Sequence, residues 1–307
     1  MLTPWGEIAV ADAHVHFFSH RFLGLLCAQR GQSAEDAARF LEWEPPPQDP
    51  RELALRWARE LDEHGLARAA LIASAPGDEA SVAAAVAACP GRFHGYFMFN
   101  PLEENPAERA RAAFESGLRV VCLFPAMHRY AIWDDRVRPV LEESARVPGR
   151  AVFVHCGVLS VGLRKRLGLP SLFDMRYSNP IDLHGVALRY PGLPFIVPHF
   201  GAGYLREALM LAELCPNVYL DTSSSNRWMR YQGLDLKTVF ERALEAAGAE
   251  RLLFGTDSSF FPRGWNAEVF EAQERALEDL GIGTRDAHAI FGGNLDRLLG
   301  SAAPQAR

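Results

Sequence analysis

The chain has 307 residues, 49% hydrophobic and 23% charged, enough to bury a large core as one α/β domain or two smaller ones. A net charge of -6 argues against an electrostatic footprint for nucleic acid, and no apolar run reaches the ~20 residues of a membrane span. Five cysteines, odd in number and without a CxxC pair, point to reduced thiols in the cytoplasm, and the N-terminus shows no secretory signal pattern.

The first candidate strand, Ile8–Phe17, ends in "VADAHVHFF". On a strand, His14 and His16 point to one face. Two neutral imidazoles aimed together suit a divalent metal, whereas in a core each needs its own hydrogen-bond partner. With ten histidines in the chain, the pair alone is as readily incidental as functional. Asp12 reads equally as support for the pair or as a local cap. Residues 18–48 follow, carrying Phe22, Leu23, Leu25, Leu26, Phe40, Leu41 and Trp43. That segment is too apolar to stay solvated and reads as a lid-like insertion.

Seven further candidate strands are Ala69–Ser74, Phe93–Asn100, Leu118–Phe124, Ala151–His155, Phe195–His199, Val218–Asp221 and Leu252–Gly255. Runs such as "RAVFVHCG" and "PFIVPHFG" lack a polar alternate, as do parallel strands covered by helices on both faces. Helical segments such as "DPRELALRWARELDEHG" separate them, starting at Asp-Pro and ending at Gly. Eight strand–helix units predict an α/β fold, a (β/α)8 TIM barrel, as one domain over 1–300 with a frayed tail at 301–307. A doubly wound open sheet is the rival, but it would usually place a Gly-rich phosphate loop where this chain has "HVHFF". A second long loop, residues 156–179, follows strand five.

The unusual polar residues fall where apolar runs stop. His14 and His16 end strand one, His155 strand five, His199 strand six, and Asp257 follows strand eight. Singly, each reads as a cap or a satisfied polar group. Together they occupy the barrel end where catalytic groups converge. Arg129, Arg227 and Arg263 follow strands four, seven and eight and are candidates to fork a substrate carboxylate. Only two of the 32 basic residues are lysines, so any one arginine reads more readily as surface or loop stapling. Phe17, Phe18, Trp228, Phe260 and Phe261 point to an aromatic or apolar substrate, or equally to loop packing, and His128 is a candidate pocket donor.

In that order, His14-x-His16, His155, His199 and Asp257 resemble the amidohydrolase superfamily. The match is closer to its amidohydrolase-related branch, which includes the aminocarboxymuconate-semialdehyde decarboxylase-like enzymes. "ADAHVHF" resembles that branch's opening and "AIFGGNLDRLLG" its ending, so the likeness spans nearly the whole chain. The resemblance implies that His14, His16, His155 and Asp257 ligate one divalent metal, zinc most often and manganese as an alternative, beside an open water position. It also implies Asp257 as general base and His199 as the group that polarises the substrate or orients the water. Binuclear members bridge two metals through a lysine or glutamate on strand four. Here "LRVVCLFPAMHRY" offers Cys122 and Phe124, and no lysine precedes Lys165, so one metal is expected. The resulting expectation is a metal-dependent hydrolase of a small carboxylate-bearing or aromatic molecule, acting through a metal-activated water. A non-oxidative decarboxylase of an aromatic or unsaturated acid is the alternative. The intact ligand set speaks against a non-catalytic barrel. A homodimer is expected as the assembly, with no nucleic-acid or membrane partner.

Overall fold

The near-continuous apolar runs become staves of one parallel sheet. In the computed structural model, which describes residues 1–224, 226–259 and 263–300, these are β1 (Ala11–Phe17), β2 (Arg68–Ala73), β3 (Phe93–Phe99), β4 (Val120–Leu123), β5 (Ala151–Val154), β6 (Phe195–Val197), β7 (Val218–Asp221) and β8 (Leu252–Leu253). Each pairs in parallel with the next in sequence. The eighth stave is split: β8 pairs with β7, and β9 (Ser258–Ser259) pairs with β1. Between the halves, Ala13 N donates to Phe254 O at 2.8 Å and Asp257 N to His14 O at 3.0 Å, which closes the ring. The fold is therefore the expected (β/α)8 barrel. The expected tail at 301–307 and the candidates Phe260 and Phe261 lie outside the described residues.

Period-two alternation sorts the staves into two apolar layers. Ala70, Ile72, Tyr96, Cys122, Phe153 and Ile196 fill the interior, and Leu295, Leu298 and Leu299 of the C-terminal helix pack with them. Leu71, Phe97, Val121, Val152 and Val197 face outward to the helices. Helix Pro50–Glu63 shows how that layer forms: Asp49 caps it, Pro50 presets its first turn, and Leu53, Ala54, Trp57 and Leu61 make its buried stripe. Each such leucine contributes roughly 1.5–3 kcal/mol by leaving water.

One irregularity decides where the site forms. The β1–β2 register runs Asp12 opposite Ala69 and then Val15 opposite Leu71, so β1 holds one extra residue in a bulge. Without it, Ala11 and Ala13 facing inward would put His14 outward. The bulge flips the alternation, and His14 and His16 point into the barrel while Val15 and Phe17 face the helices.

Residues 18–48 form two helices, α1 (His20–Ala28) and α2 (Ala34–Leu41). Ser19 caps the first, and Ser33 with Asp36 makes a capping box on the second. Their apolar faces, with Phe22, Leu23, Leu26, Ala37 and Leu41, pack on Leu163, Leu167 and Leu169 from the long loop after β5. The two insertions thus cover each other's apolar surface. All five cysteines are buried and unpaired, and no described helix is long and apolar enough to cross a membrane.

Candidate active site

The strand ends meet in a cavity of about 900 Å³ whose inner end holds His14, His16, His155, His199 and Asp257. His14, His16 and Asp257 form its tightest group, with one ligand atom from each lying within 4.8 Å of the others. His16 Nε2 is 3.1 Å and His14 Nε2 3.6 Å from Asp257 Oδ1.

The far side of each imidazole shows what those Nε2 atoms are. His14 Nδ1 is 2.6 Å from Asp221 Oδ2, a carboxylate that accepts its N–H. His16 Nδ1 is 2.8 Å from Ser74 Oγ, whose own proton is donated to Ile72 O at 3.0 Å. The serine oxygen therefore accepts from His16 Nδ1–H. With both rings neutral, the two Nε2 atoms are lone pairs converging on a carboxylate, three acceptors that repel one another unless a proton or a metal ion lies between them. This donor set fits a divalent ion, with carboxylate and hydroxyl groups behind the histidines fixing their tautomers.

His155 belongs to the same chamber but stands outside the tight group. Its ring stacks on Phe124 at 5.3 Å, and its buried Nδ1 has no partner among the described residues. Burial, with His199 and His14 nearby, pushes its protonation well below the ordinary range, which keeps it a neutral donor atom. His199 sits not on a strand but in the tight turn after β6, with φ 55°. Burial likewise lowers its pKa, and its Nδ1 is 2.9 Å from Ser223 Oγ. The same hydroxyl lies 3.0 Å from His14 Nδ1, so one serine after β7 ties the two histidines together. For His14, burial opposes protonation, but Asp221 outweighs it and, with Asp257, raises the value to about 9, so at neutral pH a proton on Nε2 faces Asp257 and a metal must displace it. For Asp257, burial raises the pKa while His16, His14 and His199 lower it more, so the carboxylate stays charged.

Asp12, left open by the sequence, has a structural role. Its Oδ1 accepts from His14 N and Thr256 N, and its Oδ2 from Thr256 Oγ1 and Trp265 Nε1, pinning the bulge of β1 to the eighth stave. Two glycines let this packing close. A Cβ on Gly157 would land on the carbonyls of Gly201 and Ala202, so only glycine lets the turns after His155 and His199 touch. A Cβ on Gly255 would lie 2.9 Å from Asp221 Oδ1 and 3.0 Å from both His14 Cβ and Ser223 Cβ.

The expected substrate contacts divide. Arg129 and Arg263 line the cavity, whereas Arg227 is exposed and does not. Trp228 is buried beneath the turn at Gly203, outside the lining, and Phe17 is buried in the outer layer because the bulge sets its direction. Phe18, one residue on, faces the cavity instead. Arg129 also staples a loop, donating from Nε and Nη2 to Leu172 O at 3.1 and 2.7 Å. On β4, Cys122 faces the interior, and Phe124, which follows the strand, faces the cavity. Sequence reasoning missed Asp221, Ser223 and Ser74. Only Asp221 carried a signal, a carboxylate ending a buried strand; the two serines carried none.

The chain is similar in sequence or fold to several known proteins. The fluG protein of Emericella nidulans is 32% identical over 105 residues, covering 33% of this chain and only 12% of that much longer protein. Among solved structures, a Pseudomonas putida protein named as a 2-pyrone-4,6-dicarboxylic acid hydrolase superposes with TM-score 0.60 at 19% identity, over 96% of this chain and 98% of its own. An Acinetobacter baumannii protein of the same name, with citric acid bound, gives 0.63 at 14% identity over 95% and 100%. A zinc-bound amidohydrolase from Burkholderia multivorans gives 0.58 at 16% identity over 95% and 99%. The family model for amidohydrolases matches residues 11–300, and the chain belongs to that family.

Proposed function

We propose that this chain is a hydrolase that depends on one divalent metal, zinc or alternatively manganese, and acts on a small carboxylate-bearing or aromatic molecule. The observation that carries the reading is the convergence of two imidazole lone pairs on Asp257, a set of acceptors that calls for a cation. His14, His16 and Asp257 would hold it, with His155 as the fourth donor in reach of the same chamber. When bound, such an ion supplies Lewis acidity, polarising a carbonyl and acidifying water towards a pKa of ~7. Asp257, charged and facing the cavity, takes the proton of the attacking water. His199, held through Nδ1 by Ser223, presents Nε2 to the reacting group and steadies charge on its oxygen. The lack of a bridging group at the end of β4, where Cys122 and then Phe124 stand, supports a single ion. That two fold neighbours are named as hydrolases of a dicarboxylic acid, and a third holds zinc, is consistent with this reading.

Metal analysis of protein purified without chelators tests it. About one equivalent of divalent metal is expected, with hydrolysis of a lactone, ester or amide in a substrate screen lost on chelation and restored by zinc. His16→Ala is expected to abolish tight binding. Less than about half an equivalent with no metal-dependent turnover overturns the reading. Carbon dioxide release from aromatic acids without hydrolysis replaces it with the decarboxylase.

A further inference from the structure

The cavity extends well beyond the metal group, and its outer half has a distinct chemistry. About 900 Å³ lies near the upper end for small-molecule sites. The wall beyond His16 comes from the two insertions: Phe18, Phe22, Leu25, Leu26 and Trp43 from the first and Leu163 from the second. Phe18 links the two halves. Its ring is 5.7 Å from His16 and stacks on Phe22 at 4.6 Å, so an apolar track runs from the reacting end to the space under the lid.

The charged groups on the wall are unbalanced. Four guanidinium groups line it, from Arg129, Arg164, Arg166 and Arg263, against the acids Glu103 and Asp257. Glu103 is paired with Arg109 at 2.6 Å, and Asp257 is engaged by His14 and His16. None of the four arginines pairs with an acid among the described residues. Arg129 and Arg164 each turn Nε and Nη2 to one carbonyl, and Arg166 hydrogen-bonds Leu41 O and lies over Trp43. Among the described residues Arg263 is held least, by a 3.4 Å contact to Asp257 O. His128 adds no charge, because burial pushes it down to about 4. Arg129, Arg166 and Arg263 are exposed at the mouth and Arg164 is half-buried, and cations gathered on one wall without acids to neutralise them attract an anion.

We propose, taking from the function above only that substrate binds in this cavity, that the substrate is an amphipathic carboxylate. Its apolar arm, several methylenes or an aryl ring long, lies along Phe18 and Phe22 beneath the lid. Its carboxylate is met by Arg263. A compact polar acid would leave the apolar track wet, and a neutral apolar molecule would leave the guanidinium unmatched.

Titration calorimetry of the protein as purified, with straight-chain carboxylates of four to twelve carbons and the matching alcohols and amines, tests this without requiring turnover. Affinity is expected to rise about fourfold per added methylene up to the length of the track. Alcohols and amines of equal length are expected to bind at least about tenfold more weakly. Leu25→Asp, which charges the track at a half-buried position, is expected to flatten the chain-length series. Arg263→Ala is expected to abolish the preference for carboxylates over alcohols while keeping the length dependence. A flat series, or amines binding as well as carboxylates, overturns the proposal. A flat series in protein that still hydrolyses substrates with its metal overturns this proposal alone; the expected series in protein without metal-dependent hydrolysis overturns the function reading alone.

Discussion

The inner end of the cavity and its lid are built on opposite principles. At the inner end, His14, His16 and His199 are each fixed by a directional hydrogen bond with Asp221, Ser74 or Ser223, and Gly157 and Gly255 remove any room for adjustment. In the lid, α1 and α2 are held to the loop after β5 by packed leucine and phenylalanine side chains and by arginines reaching carbonyls, such as Arg30 to Leu167 and Arg166 to Leu41. Metal coordination tolerates little displacement, so its supports are directional. Apolar packing tolerates repacking, so a lid made of it can vary in shape without disturbing the ligands.

Substitutions can break or sharpen that contrast. The largest effect is expected from Gly157→Ala, which forces a methyl group onto two carbonyls at a φ of 76°. Destabilisation of about 3 kcal/mol or more and loss of bound metal are expected, read by thermal unfolding and metal analysis. A wild-type Tm with full metal content would show that the turns after His155 and His199 are not rigidly joined. Leu23→Ala, in the lid, is expected to cost about 2–4 kcal/mol by opening a cavity, yet leave metal content unchanged. If metal is lost with it, the two regions are not independent.

Asp221→Asn tests the inner end in reverse. The shape is kept but the charge behind His14 is gone, so metal affinity measured against a competing chelator is expected to fall about 10–100-fold with the fold intact. Unchanged affinity would remove Asp221 from the support of His14.

The remaining effect, on the pH dependence of stability, is expected at the root of the lid. Asp78 accepts from Ser19 Oγ, the cap of α1, at 2.8 Å and from Ser81 Oγ at 2.5 Å. Burial raises it to about 7, against an ordinary value of 3.8. The folded chain therefore keeps a proton that the unfolded chain releases. That contribution to stability is full below pH 3.8 and is lost as pH rises through about 7. Asp78→Asn, which mimics the protonated acid, is expected to flatten the fall in Tm across this window. An unaltered pH slope would remove Asp78 as its source.

Much of the inner end was legible in the sequence because residues able to ligate a metal are distinctive types in unusual places. Histidines and an aspartate at the ends of buried apolar runs stand out, and eight such runs separated by helices point to a barrel. The supports behind them were not legible: Ser74 and Ser223 are ordinary loop serines until the fold brings them to His16 and His199. Phe17 and Phe18 show the same limit. Adjacent residues take opposite faces, and a one-residue bulge upstream, silent in composition and spacing, decides which one faces the cavity.

The sequence by itself determined the fold class and the residues able to bind metal, because periodicity and residue chemistry are local properties. Only the tertiary structure decided that His14 and His16 face inward and that Asp221 and Ser223 stand behind the histidines. It also decided that four arginines share a wall with the lid's apolar side chains. Those are relations between atoms far apart along the chain, set by register and closure of the barrel.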